Sequence, residues 1–178
     1  MDLRLRIESG LPIFVALMVG LTLSCVGCQN SLEGQASEKK TEVEDEEPQN
    51  QLTQQEVDEG WILLFDGETT FGWQHDNEAN WKVADGVISV SEGEQGLLYT
   101  TTEFSDYLLK VDFRSGQGTN SGIFLSTIAD PADPGNECYE LNIAGSDNPF
   151  PTGSLVQRKK VEGDHNSDRW QSYEVQVR

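Results

Sequence analysis

WILLFDGETTFGW (61–73), WKVADGVISV (81–90), GLLYTTTEFSDYLLKVDF (96–113) and NSGIF (120–124) decide the fold. They hold short runs in which apolar and polar residues alternate, punctuated by Gly, Asp and Asn. A period of two is the signature of a strand with one face buried. WKVA and VISV flank Asp85-Gly86, a dipeptide that turns a chain tightly back on itself, so 81–90 reads as a hairpin. In 107–114, Leu109, Val111 and Phe113 alternate with Lys110, Asp112 and Arg114. Ile123 to Ile128 is a further short strand. Turn signals recur about every 8 to 12 residues, the spacing of a sandwich. The expected fold class is all-β, with two sheets packed face to face.

The N-terminal sixty residues read differently. Arg4 and Arg6 precede an apolar stretch from Leu11 to Gly27, and Gly27-Cys28 is followed by polar chain. That pattern predicts an export signal over 1–28, to be left out of the fold. Cys28 is the expected lipidation site, with Cys25 as the second candidate. Residues 29–59, with the like-charged run 42–47, read as an acidic disordered linker. The remaining residues, 60–178, form one domain long enough for a core. The expected location is outside the cytoplasm, held to a membrane only through the lipid, in the periplasm or at the cell surface. Trp170 to Arg178 alternates well but ends with no closing element, so further strands are expected beyond it.

Charge narrows the partners. The chain has 31 acidic and 12 basic residues, a net charge of −19. Residues 60–178 alone carry 19 acidic and 8 basic side chains, a net of −11. Nucleic acid is therefore excluded as a partner, whereas neutral sugars meet no such barrier. Cys138 is the one cysteine of the domain, so no disulfide framework is expected, and it reads as a small buried hydrophobe.

The ordered pieces of 60–178 resemble the 3-keto-disaccharide hydrolase domain family. They are LFDG (64–67) with Gly72-Trp73, WKV (81–83) with DGVI (85–88), GLLYT (96–100), 104–114, NSGI (120–123), YELNI (139–143), TGSL (152–155) and WQSYE (170–174). The resemblance implies a concanavalin A-like jelly roll. It also implies cleavage of glycosides already oxidised at C3, by elimination, by hydration of the product, or by net hydrolysis. Carbohydrate is then the partner.

Such chemistry needs a base for the proton at C2, a positive group or metal to steady the enolate oxygen, and a proton for the leaving oxygen. Glu140 is the leading base or metal ligand. It shares a strand face with Asn142, a substrate-binding candidate. Its plain alternative is a strand carboxylate paired with a neighbouring cation. Arg114 is a candidate to polarise the keto oxygen, or a solvated strand residue. Asn120 binds a hydroxyl or makes a turn. Gln157 and Lys159 belong to the basic cluster Gln157-Arg158-Lys159-Lys160, which either reaches substrate or is a solvated face. His165 is the remaining acid–base candidate, in a polar loop. A divalent metal ion is the candidate cofactor. The tryptophans are read as core before sugar platform. The competing functions are a sugar-binding module, which predicts exposed tryptophans, and an adhesion domain, which predicts a flat apolar patch.

Overall fold

Lys82–Ala84 and Val87–Ser89 pair as the expected hairpin. The computed structural model describes residues 1–8, 14–21, 50–75, 77–129 and 131–178, with backbone alone for 2–8 and 14–21. Asp85 and Gly86 both take positive φ, 52° and 72°. That pair of values gives a turn whose twist matches the strands it joins.

The described residues hold eleven strands and two short helices. In chain order these are β1 (Asp2–Glu8), β2 (Phe14–Leu21), α1 (Gln54–Glu59), β3 (Trp61–Leu63), β4 (Trp73–His75), β5 (Lys82–Ala84) and β6 (Val87–Ser89). Then come β7 (Gly96–Thr100), β8 (Tyr107–Arg114), β9 (Thr119–Thr127), α2 (Pro134–Glu137), β10 (Tyr139–Ala144) and β11 (Gln171–Val177). One sheet runs β11-β8-β1-β6-β5, with β3 also paired to β1, and the other runs β10-β9-β2-β7-β4. The fold is an all-β sandwich.

Alternation builds the core. Tyr107, Leu109, Val111 and Phe113 of β8 are buried while the residues between them are half-buried. They meet Leu98, Ile123, Leu125 and Ile143 of the other sheet in one cluster with Phe65, Trp73 and Ile88. Each fully buried side chain of this size stabilises the fold by about 1.5–3 kcal/mol. Trp73 keeps its indole N–H satisfied by donating to the Leu64 carbonyl at 2.6 Å. Tyr173 of β11 packs on Phe113 with ring centroids 4.5 Å apart. Its hydroxyl donates to the Asn142 carbonyl at 2.7 Å and accepts from Gly153 N–H at 2.8 Å. This side chain joins the edges of the two sheets.

The structure differs from the sequence reading at the N-terminal end of the chain. Residues 54–59 of the expected linker are helical. Thr53 and Glu56 form a capping box, and Gly60 ends the helix with φ 89°. Glu56 lies 3.9 Å from Lys110, whose ammonium also sits 4.3 Å from the Trp61 ring centroid. Residues 2–8 and 14–21, expected to lie in an export signal, are strands inside the sheets. β1 lies between β8 and β6, with Leu3, Leu5 and Ile7 in register with Phe113, Val111 and Leu109. β2 lies between β9 and β7. An apolar run reads equally as a signal core and as a buried strand. Cys25, Cys28 and residues 29–49 lie outside the described residues.

A chain beginning at residue 29 loses both β1 and β2, which divides the second sheet into two and separates β11-β8, β6-β5 and β3 of the first. Circular dichroism melts of the full and shortened chains are expected to show a lower melting temperature for the second. Equal melting temperatures would mean that the two strands contribute nothing to stability.

Candidate functional site

β10 positions the leading carboxylate. Ile143 lies in the inter-sheet core and Leu141 packs against it. Strand alternation therefore places Cys138, Glu140 and Asn142 on the outer face of the second sheet. Glu140 stands opposite Phe124, and Asn142 opposite Gly122. The other edge of β10 is paired by the following chain, with Asn142 N–H donating to the Ser154 carbonyl at 2.8 Å and Val156 N–H to the Glu140 carbonyl at 3.0 Å.

This face is apolar around Glu140. Leu97, Phe124 and Cys138 are buried together, with Tyr99 packed on them. α2 packs against β9 and β10, and the Cys138 thiol donates to the Pro134 carbonyl at 2.9 Å. Burial disfavours the charged carboxylate and raises Glu140 from 4.5 to about 7. The thiol of Cys138 is pushed up to about 11, first by burial and then by the Glu140 charge. Cys138 is thus an inert buried side chain, as its sequence context suggests. A carboxyl that exchanges its proton near neutrality suits general acid–base work.

The other expected site residues do not all converge here. Arg114 is on the opposite side of the molecule. It faces outward on β8 in the first sheet, with its guanidinium 5.2 Å from the Trp170 ring centroid. It does not reach the face that carries Glu140. Asn120 and Asn142 hold a loop. The Asn120 side-chain oxygen accepts from Asn148 at 3.0 Å, and the buried Asn142 amide donates to the Phe150 carbonyl. Both therefore pin residues 145–150, and Asn142 is covered by them although it shares a face with Glu140. His165 is exposed and its ring bonds the Glu162 carbonyl at 2.8 Å, in the loop that Asn166 fastens to Ser115 at 2.6 Å.

Gln157 and Lys159 are exposed in the turn after the chain paired to β10, where Gln157 takes φ 60°. Arg158 of that cluster is tied to α2 and β10. Its guanidinium donates to the Gly135 carbonyl at 3.0 Å and lies 4.4 Å from the Tyr139 ring centroid. Its charge acts on Cys138, two residues from Glu140. The cluster was visible in the sequence, but only tertiary pairing shows which member turns toward β10. Gly122 is the other residue that sequence reasoning passed over.

A polar cleft lies elsewhere. It has about 690 Å³ and is lined by Gln117, Gly118, Ser146, Asp147, Asp164 and Asp168 among others. Its edge at Gly145 is five residues from Glu140 along the chain, about 16 Å at the rise of an extended strand. The desolvated carboxyl is thus set apart from this cleft. Among the described residues no group of three or more His, Cys, Asp or Glu is arranged to hold a metal ion. Trp61 and Trp73 are buried and Trp81 and Trp170 half-buried, so no tryptophan platform faces solvent.

The Glu140 shift predicts a pH dependence of stability. The folded protein holds the proton up to about 7 and the unfolded chain only to about 4.5. The contribution of Glu140 to stability is therefore fully present below the unfolded value, falls as pH rises between the two, and is lost above about 7. At roughly 1.4 kcal/mol per unit the loss is of the order of 3 kcal/mol. Glu140→Gln removes the ionisation, so its denaturation midpoint is expected to exceed that of the wild type at pH 8 and to lose this slope. Parallel pH profiles for the two proteins would contradict the burial of the carboxyl.

Comparison with known proteins follows the same segment. Residues 60–178 match the family described as 3-keto-alpha-glucoside-1,2-lyase-like domain. A curated relative from Bacteroides thetaiotaomicron, named 3-keto-disaccharide hydrolase, is 26% identical over 151 residues, covering 72% of this chain and 52% of the relative. The chain thus spans about half the length of that relative. No solved structure matches.

Proposed function

Because the chain belongs to the 3-keto-alpha-glucoside-1,2-lyase-like domain family, we propose that it is an enzyme acting on 3-keto-glycosides, with Glu140 as its general base. The observation that carries this reading is a carboxyl raised to about 7 by burial, on the outer face of the second sheet. A ketone at C3 acidifies the hydrogen at C2. Glu140 takes that proton, and the C2–H electrons form the C1=C2 double bond. The C1–O bond breaks, and the departing oxygen receives a proton from the carboxyl that has just gained one. The products are an alcohol and a 3-keto-2-hydroxyglycal. Addition of water across the double bond returns the free 3-keto sugar, making the sum a hydrolysis. Arg158, whose charge acts on Cys138 two residues from Glu140, is the cation assigned to favour enolate charge.

For location, we propose export and a lipid on Cys28, from the basic start, the apolar stretch and Gly27-Cys28. The same residues supply β1 and β2, so cleavage before Cys28 removes the central strand of each sheet. Intact mass of the protein from its native membrane separates the cases. A diacylated chain starting at Cys28 supports the lipoprotein, and an unmodified chain starting at Met1 rules it out.

The activity test is direct. The full chain is incubated with 3-keto-sucrose, 3-keto-trehalose and a 3-keto-aryl glucoside, with and without divalent metal, and release of the aglycone is followed by mass spectrometry. The wild type is expected to release it and Glu140→Gln to fall at least a hundredfold, in line with loss of general base catalysis. Binding of these sugars with no release by the wild type would replace the enzyme reading with a carbohydrate-binding module.

A further inference from the structure

We propose that Gly122 is a positioning residue for Glu140: the side chain it lacks leaves the seat in which the carboxyl lies. The inference rests on the reading of Glu140 as the base. A Cβ built on Gly122 would come within 2.8 Å of Glu140 Cγ and 2.8 Å of its Oε1, and 3.1 Å from the Leu141 carbonyl oxygen. The first two distances are shorter than any real Cβ contact, so a methyl group there must displace the Glu140 side chain. Gly122 is paired directly with Asn142 on β10 and with Met18 on β2. The carboxyl of Glu140 therefore folds diagonally over the β9 backbone at the one position of that strand that carries no side chain.

The backbone gives Gly122 no conformational reason to be glycine, for its φ is not among the positive values of the chain. In the interior of a strand, glycine costs chain entropy relative to alanine. An unfavourable residue at a site with no turn and no left-handed φ is explained by close approach of another group, here the carboxyl.

The seat also fixes what surrounds the carboxyl. β9 contributes Gly122 and Phe124, neither of which titrates. β7 contributes Leu97 and Tyr99 to the same face, and β10 itself contributes Cys138. The charged groups at this end are Glu137 of α2, Arg158 and Lys159, and of these Glu137 and Arg158 act on the Cys138 thiol. Held low over Gly122, the carboxyl meets mostly apolar neighbours. Pushed up by a methyl group, it moves toward water.

The test is Gly122→Ala in the full chain, with Glu140→Gln to assign the signal. Side-chain carboxyl carbons are followed by NMR from pH 4 to 9 in the absence of ligand. The Glu140 midpoint is expected to fall by at least one unit in Gly122→Ala. With 3-keto-glycoside, kcat is expected to drop tenfold or more with KM within twofold, and the acid limb of the pH profile to shift with the midpoint. An unchanged midpoint and limb would overturn the positioning role while leaving Glu140 as base. A shifted midpoint in a protein whose wild type turns over no 3-keto-glycoside would keep the seat and remove the proposed reaction. Should Gly122→Ala fail to fold, Gly122→Ala with Glu140→Ala takes away the obstructing atoms. Recovery of the fold then supports the seat, and continued unfolding assigns the conflict to the Leu141 carbonyl and overturns it.

Discussion

The inward burial of odd-numbered residues on β8, β9 and β10 is the constraint on which everything else depends. Leu109, Val111 and Phe113 close against Ile123, Leu125 and Ile143, all with at most 4% of their surface exposed. Because side chains alternate along a strand, this burial sends the even-numbered residues outward. Glu140 is presented on the outer face for that reason alone. A register slip of one residue in β10 would turn it into the core and bring Leu141 and Ile143 to the surface. The cost of exposing those two side chains, several kcal/mol, holds the carboxyl in place.

Once the face is set, local packing decides the chemistry. Phe124, Leu97 and Cys138 strip water from one side of Glu140, and the raised carboxyl follows from that desolvation. The gap at Gly122 lets the group lie close to the sheet instead of extending into solvent. The acidic balance of the whole chain fits a neutral sugar and opposes a phosphorylated one. The acidic cleft at the far end of β10 and the apolar face at its near end are thus different environments on one strand.

Much of the fold was legible in residues 81–124. Asp85-Gly86 named its own turn, and the alternation of 107–114 named both the strand and its buried face. The facing of Glu140 followed from Leu141 and Ile143. What could not be read was pairing across long sequence separation. Alternation says that Arg114 points outward but not on which sheet, and the two outward directions lie on opposite sides of the sandwich. Asn120 and Asn142 looked like ligands for a hydroxyl because their partners, Asn148 and the Phe150 carbonyl, come from a loop that only the fold brings back. Thr53-x-x-Glu56 was a capping signal hidden by the charge run before it. Residues 2–21 satisfied two patterns at once, and composition alone does not choose between a signal and a pair of buried strands.

Exchange of the C2 hydrogen tests the central claim most directly. A 3-keto-glycoside is incubated with the full chain in D2O, and deuterium at C2 of remaining substrate and of any hydrated 3-keto sugar is measured by NMR. The account predicts deuterium incorporation, or a matching isotope effect with C2-deuterated substrate in ordinary water, that depends on Glu140 and is absent in Glu140→Gln. Equal rates of C2–H cleavage in the two proteins would contradict it, because the proton would then leave to a group other than the carboxyl on β10.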